Sequence, residues 1–400
     1  MSDDREPRQA VVLSGGGANG AYEVGVLLAL CEGASPATDH VPLSAEIYTG
    51  TSVGAYNAAF MAQDSGQELV AARTLDDVWR QRIANTPTSC GNGIYCVRAD
   101  PFRWIDPGCL QQPVKLLLQA AGDAAFFFGY GLTRSAAFLT SDEPLPLRAI
   151  GTIDVSALFV ITPLDALLRE TIDLARLARS PKGLAVAATD WVTGRLRSFT
   201  KGEIVDRFGT DAIKASAAVP GIFPLVPLDG TLFVDGGLKA NTLLKPAIDA
   251  GAEVLHLVYI DLLLVDVPFP DLPNTLDALS RIYVILVAQN MSSDVARAEV
   301  VNEDLALAER LGLVRDDQPV AGGRSPSRRL RRVVEHAKNR EPYRPITIHR
   351  YRPKSALGGL ETLLNFDIAR VDALIAQGYQ DAVGHDCDES QCVIPDQTPT

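Results

Sequence analysis

Residues 11–20 read VVLSGGGANG, and the reading of this stretch decides the fold. A β-branched run, Gln9 to Leu13, enters a glycine turn, and apolar residues then recur at helical spacing from Ala21 to Cys31. Gly15, Gly17 and Gly20 satisfy G-x-G-x-x-G between that strand and that helix. Such a loop suits a dinucleotide phosphate held at a helix N-terminus, or the oxyanion of a reaction intermediate; it also suits a plain structural turn.

The nucleotide reading needs an acidic residue at the end of the next strand, to bind the ribose hydroxyls. The next β-rich run, Val41 to Tyr48, ends instead in Thr49 and Gly50, with Glu46 inside it and Asp39 ahead of it. What stands there is GTSVG, residues 50–54, followed by a small apolar helix from Ala55 to Met61. Gly50 and Gly54 would let the chain bend sharply enough to expose Ser52 at a strand-to-helix turn. Amides at the start of that helix favour negative charge on an attacking serine oxygen. Two strand-turn-helix units in succession predict a parallel sheet covered on both faces, with ligand chemistry at the carboxyl ends of the strands. The loop from Gly15 to Gly17 could then aim backbone N–H groups at a carbonyl held over Ser52.

A nucleophilic serine needs a base. The downstream histidines are poorly placed for that work: His256 lies in an apolar run, His336 and His349 in an Arg-rich stretch (residues 324–354), and His385 near the tail. TLFVDGGLKAN, residues 231–241, instead carries an apolar strand into Asp235 followed by Gly236 and Gly237. The same residues also read as an ordinary Asp-Gly turn.

Taken in order, GGGANG, GTSVG and VDGG resemble the patatin-like phospholipase family, acyl hydrolases that use a Ser-Asp dyad without a catalytic histidine. LAVAATDWVTGRLRSFT (184–200), ASAAVPGIFP (215–224) and the closing LNFDIARVDALIAQGYQDA (364–382) add to the resemblance, which covers residues 9–83 and 180–383. It implies a three-layer α/β/α fold, with a central mostly parallel sheet and helices on both faces, in a single domain over residues 9–383. Residues 86–180 would form an insertion or lid region. It further implies Ser52 as nucleophile and Asp235 as its partner. Gly15, Gly16, Gly17, Asn19 and Gly20 would form the oxyanion hole, Gly50 and Gly54 the elbow, and Gly236 and Gly237 the dyad loop. The substrate would be a lipid or acyl ester, with no cofactor and no metal. One position departs from the family pattern: Asn19 stands where the family usually has Arg or Lys, so a donor remains but the charge is lost.

Composition sets outer bounds. The chain has 400 residues, 47% hydrophobic and 22% charged, as in globular proteins. A formal net charge of −12 opposes binding to nucleic acid but leaves apolar contact with a membrane surface open. The opening MSDDREPRQA lacks the layout of a secretory signal, and runs such as Val24 to Cys31 are far shorter than the roughly 20 residues that cross a bilayer. A cytoplasmic or membrane-peripheral location is the expectation, with oligomeric state undetermined.

Within the insertion, AAFFFGYGL (124–132) reads as an apolar flap or a buried packing segment, and Ile161 to Arg179 as one amphipathic helix. CGNGIYC (90–96) and CDESQC (387–392) are loop-like, so each cysteine pair is free or locally bridged. Neither spacing matches a zinc site, and His385 is the only nearby histidine. Further strands are expected at 184–188, 196–200, 231–234, 254–260 and 346–350, a last helix at 365–380, and a frayed polar tail over 386–400.

Overall fold

A computed structural model describes residues 6–142, 155–260, 275–310, 345–355 and 360–395, with positions 144, 145, 148 and 357. The Arg-rich stretch up to residue 344, with His336, lies outside the described residues. The strands are β1 (Gln9–Leu13), β2 (Ile47–Thr51), β3 (Cys96–Val97), β4 (Phe159–Val160), β5 (Gly183–Asp190), β6 (Leu196–Thr200), β7 (Val226–Leu228), β8 (Thr231–Asp235), β9 (Val254–Val258) and β10 (Thr347–Tyr351). The principal helices are α1 (Gly20–Cys31), α2 (Val53–Ala62), α3 (Glu68–Val78), α4 (Pro113–Thr140), α5 (Thr162–Thr171), α6 (Leu174–Arg179), α7 (Asp211–Ser216), α8 (Leu244–Asp249), α9 (Thr275–Arg310) and α10 (Ile368–Val383).

The main sheet runs β10-β9-β1-β2-β5-β8-β7, with β6 on the second edge of β5. From β10 to β5 every pairing is parallel; β6 and β8 run against β5, and β7 against β8. Alternate residues of β1 serve opposite layers. Val11 and Leu13 face the larger core with α1 and α2, and Ala10 and Val12 face a second core with Leu244, Ala247 and Val295. This is the mostly parallel sheet, helix-covered on both faces, that the doubled strand-turn-helix pattern predicts.

The order of the chain along β5 matters most. Residues Ala185–Thr189 pair with β6, which occupies one edge. On the other edge Gly183–Ala187 pair with β2, and Ala188–Asp190 pair with β8 running the opposite way. Two strands therefore meet end to end on a shared edge: Thr51 pairs with Ala187 and Asp235 with Ala188.

Helix α10 lies along α1, and two glycines permit the approach. A Cβ on Gly25 would sit 2.0 Å from the Ile375 carbonyl oxygen, and one on Gly378 would sit 2.0 Å from that of Tyr22.

Several expectations change. The second strand begins only at Ile47: Pro42 has no N–H for a ladder, and backbone bonds to the neighbouring strands start at Glu46, which donates to the Gln9 carbonyl and accepts from the Gly183 N–H. The span from Ile161 to Arg179 is two helices, since Asp173 accepts the Ala175 and Arg176 N–H groups and caps a new one. The apolar segment 124–132 is not a buried packing segment: it is part of the continuous helix α4, whose only buried residue is Leu116. Cys90 is bonded to Cys109 rather than to Cys96, which is free. Asp106 turns the chain there by accepting the Gly108 and Cys109 N–H groups. The tail is held as far as Val393, which exchanges two backbone hydrogen bonds with Ile348.

The two strand-turn-helix units are tied together by a buried polar network. Glu23 of α1 is fully buried and accepts from Asn57 Nδ2 of α2 at 2.8 Å, while Asn57 Oδ1 accepts the Trp79 indole N–H at 3.0 Å. Burial raises the Glu23 carboxyl well above the ordinary range, opposed by the bonds from Asn57 and the Ser14 backbone. A raised folded-state value means that its contribution is present at acid pH and is lost as pH rises toward that value. Glu23→Gln should therefore gain stability over the wild type as pH increases from about 5, by at most about 1.4 kcal/mol per pH unit. Thermal melts from pH 5 to 9 check this; a difference independent of pH would contradict it.

Candidate active site

β2 delivers its last residue into a tight bend. Ser52 has φ 55 and ψ −124, a strained conformation for a residue with a side chain, and it starts α2. The bend is closed by backbone contact. A Cβ on Gly50 would lie 2.1 Å from the Gly54 carbonyl oxygen, and one on Gly54 would lie 2.5 Å from those of Leu13 and Ser14. The Ser52 N–H donates to Ser216 Oγ at 2.9 Å, anchoring the elbow to the end of α7. Ser52 remains 6% exposed and lines a cavity.

β8 arrives from the opposite direction and ends at Asp235, which is fully buried. Its Oδ1 accepts the Gly237 N–H at 2.7 Å, and its own N–H donates to the Ala218 carbonyl at 2.8 Å. Gly236 is pressed against β5, since a Cβ there would lie 2.4 Å from the Ala187 oxygen. Two threonines of β2 hold the chain after the Asp-Gly-Gly turn: Thr51 Oγ1 donates to the Ala240 carbonyl at 3.0 Å and Thr49 Oγ1 to that of Leu243 at 2.9 Å.

The glycine loop closes the site from β1. Gly15 is so near that a Cβ would lie 2.9 Å from Ser52 Cβ. Its N–H donates to Asn241 Oδ1 at 2.9 Å and its carbonyl accepts from Asn241 Nδ2 at 3.3 Å. Gly17 has φ 57 and lies against the Leu363 carbonyl, a position that only glycine fits without strain. Gly20 sits against Val53, packing the start of α1 on the start of α2. Asn19 is fully buried, and its Oδ1 accepts from Arg370 Nη2 of α10 at 2.7 Å. A guanidinium from a distant helix thus stands one hydrogen bond from the glycine loop.

Beyond Ser52, Gly15–Gly17 and Asn241 the cavity is mostly apolar, walled by residues such as Trp79, Ile83, Leu164, Phe223 and Phe366. Such a wall suits a hydrocarbon chain better than a nucleotide, and among the described residues no acidic one lines it.

The described histidines are elsewhere. His256 pairs in register with Val11 in the middle of the sheet, is buried, and bonds Tyr351 Oη at 3.1 Å and Gln9 Oε1 at 3.2 Å. Burial lowers its pKa to about 3. His349 of β10 stacks on it at 5.3 Å, and His385 lies against His349, three strand positions from β2.

Asn241, Ser216 and Arg370 were not legible as site residues in the sequence. Asn241 and Ser216 stand inside the quoted family segments but carry no chemistry of their own, and Arg370 looks like one more polar position on an amphipathic helix.

Among solved structures the chain is similar to VipD from Legionella pneumophila, at 13% identity and a TM-score of 0.32, over 95% of this chain and 67% of that one. It is also similar to the type III effector ExoU, at 14% identity and a TM-score of 0.30, over 95% of this chain and 53% of that one. A complex of ExoU with SpcU from Pseudomonas aeruginosa matches at 17% identity and a TM-score of 0.26, covering 83% of this chain and 66% of the other. The family model for patatin-like phospholipases matches residues 11–248, a span that holds the glycine loop, the serine elbow and the Asp-Gly-Gly turn together. The chain belongs to the patatin-like phospholipase family.

Proposed function

We propose that this protein hydrolyses carboxylic esters of lipids through a Ser52–Asp235 dyad and an acyl-enzyme. Family membership supports lipid acyl hydrolysis in general. The observation that carries the specific assignment is the end-to-end meeting of β2 and β8 on one edge of β5, which puts the strained serine turn beside a buried carboxylate.

The chemistry follows from that placement. Asp235 takes the Ser52 Oγ proton as the oxygen attacks the ester carbonyl carbon. The amides of Gly16 and Gly17 take the oxyanion, the Gly15 amide being committed to Asn241. The tetrahedral intermediate collapses, the proton passes to the leaving alcohol, and the acyl chain stays on Ser52 with its tail in the apolar cavity. Water, deprotonated by Asp235, then releases the fatty acid and restores both groups. Arg370 holds positive charge beside the loop and fixes Asn19, so it acts as a positioning residue.

Turnover of a p-nitrophenyl ester by purified variants tests the dyad. Asp235→Asn should cut kcat by about 100 to 10,000-fold. His256→Gln, His349→Gln and His385→Gln should each keep most of it at a temperature where they remain folded. Arg370→Met should fall between these limits. An active Asp235→Asn variant, with any one histidine change inactive but folded, would overturn the assignment.

Helix α4 supports a lipid-surface role. Val114, Leu118, Phe128, Leu132 and Leu139 are 60–76% exposed and recur on one stripe, while Phe126 is covered by Arg98 at 3.7 Å. No helix among the described residues is long and apolar enough to cross a membrane. The stripe is therefore proposed to lie in the interface. Leu118→Asp with Leu132→Asp should lower hydrolysis of phospholipid vesicles at least several-fold and leave the soluble ester unchanged; equal loss on both substrates would refute the role.

A further inference from the structure

Outside the candidate active site, four side chains that ligate metals converge at the edge of the sheet. His349 comes from β10, and His385, Cys387 and Cys392 come from the turn that follows α10. Their ligating atoms all lie within 4.8 Å of one another. Cys387 Sγ is 3.5 Å from His349 Nδ1 and 3.5 Å from His385 Nε2, and Cys392 Sγ is 3.4 Å from His385 Nε2.

Those separations have a simple meaning. Zinc binds thiolate at about 2.3 Å and imidazole nitrogen at about 2.0–2.1 Å, so the sulfur-to-nitrogen edge of a tetrahedral site is roughly 3.5 Å. The three sulfur-to-nitrogen separations given above agree with it. We propose that His349, His385, Cys387 and Cys392 form a closed tetrahedral zinc site. Two thiolates and two imidazoles select zinc over the hard cations, and four protein ligands leave no position for a substrate, which makes the site structural.

The surrounding chain is built to present these groups. Ile348 and Val393 exchange backbone bonds of 2.8 and 2.9 Å, and the Cys392 N–H donates to the Cys387 carbonyl at 2.9 Å, which closes the short loop. Asp386 Oδ1 accepts the Asp388 and Glu389 N–H groups inside that loop. The Arg350 N–H points at Cys392 Sγ at 3.5 Å, a donor suited to a thiolate. His385 is buried with its ring 4.6 Å from that of Tyr351, and His349 is stacked on His256. The cysteine spacing of CDESQC gives no zinc pattern because the fourth ligand lies on a strand far upstream. Bound metal would clamp the C-terminal segment over β10.

The test uses the full chain, isolated without chelator. Elemental analysis should find one zinc per chain. Cobalt exchanged for it should show the visible bands of tetrahedral coordination together with thiolate-to-cobalt charge transfer. Titration of zinc against a chromophoric chelator should show affinity lowered more than about 100-fold by Cys392→Ser or His349→Gln, beyond what loss of an outer-shell partner costs. Cys96→Ser should bind as the wild type does, and removal of the metal should lower Tm. The proposal is overturned if the wild-type chain neither carries nor takes up zinc or cobalt. Equal affinity in the ligand variants would also overturn it, as would peptide mapping of the isolated protein that finds Cys387 bridged to Cys392.

Discussion

Everything at the candidate site depends on how one strand edge is shared. β5 gives the first half of an edge to β2 and the second half to β8, and these two run in opposite directions. Their carboxyl ends therefore meet, at Thr51 and Asp235. Backbone pairing sets the relation between a serine and a carboxylate that are far apart in sequence. A one-residue slip in β8 would turn Asp235 to the other face of the sheet. The bonds that pin that end, from Asp235 N–H to Ala218 and from Thr189 Oγ1 to the Asp235 carbonyl at 3.0 Å, oppose such a slip.

The second dependence is on close backbone approach. The elbow exists because Gly50 and Gly54 let the chain touch itself, and the glycine loop reaches Ser52 because Gly15 has no Cβ. The same device, through Gly25 and Gly378, seats α10 on α1 and so brings Arg370 to Asn19. The C-terminal part of the chain thus reaches back to the first turn, and the proposed metal site would fasten its last segment to β10.

Much of this was legible in the sequence, for identifiable reasons. Glycine turns between apolar runs mark strand-to-helix bends because few other residues can make them, so both turns and the Asp-Gly-Gly end stood out. Strands β5, β6, β8, β9 and β10 fall within two residues of their expected limits; β5 and β9 are the buried, mostly apolar runs expected of a covered parallel sheet. What stayed hidden was set by tertiary contact. The Gly15 amide is committed to Asn241, which no local pattern reveals. Arg370 is a surface-like residue until α10 docks. Cys90 and Cys96 look paired by proximity in sequence, yet the fold brings Cys109 to Cys90. The four candidate zinc ligands are likewise separated by the length of α10 and assembled only by the sheet edge.

The central claim is that Ser52, activated by Asp235, becomes acylated. Reaction of the folded protein with a fluorophosphonate probe, followed by tandem mass spectrometry of its peptides, tests this most directly. A covalent adduct on Ser52, formed by the wild type and largely lost in Asp235→Asn, is the predicted result. An adduct on another residue, or equal labelling of Ser52 in both proteins, would contradict it.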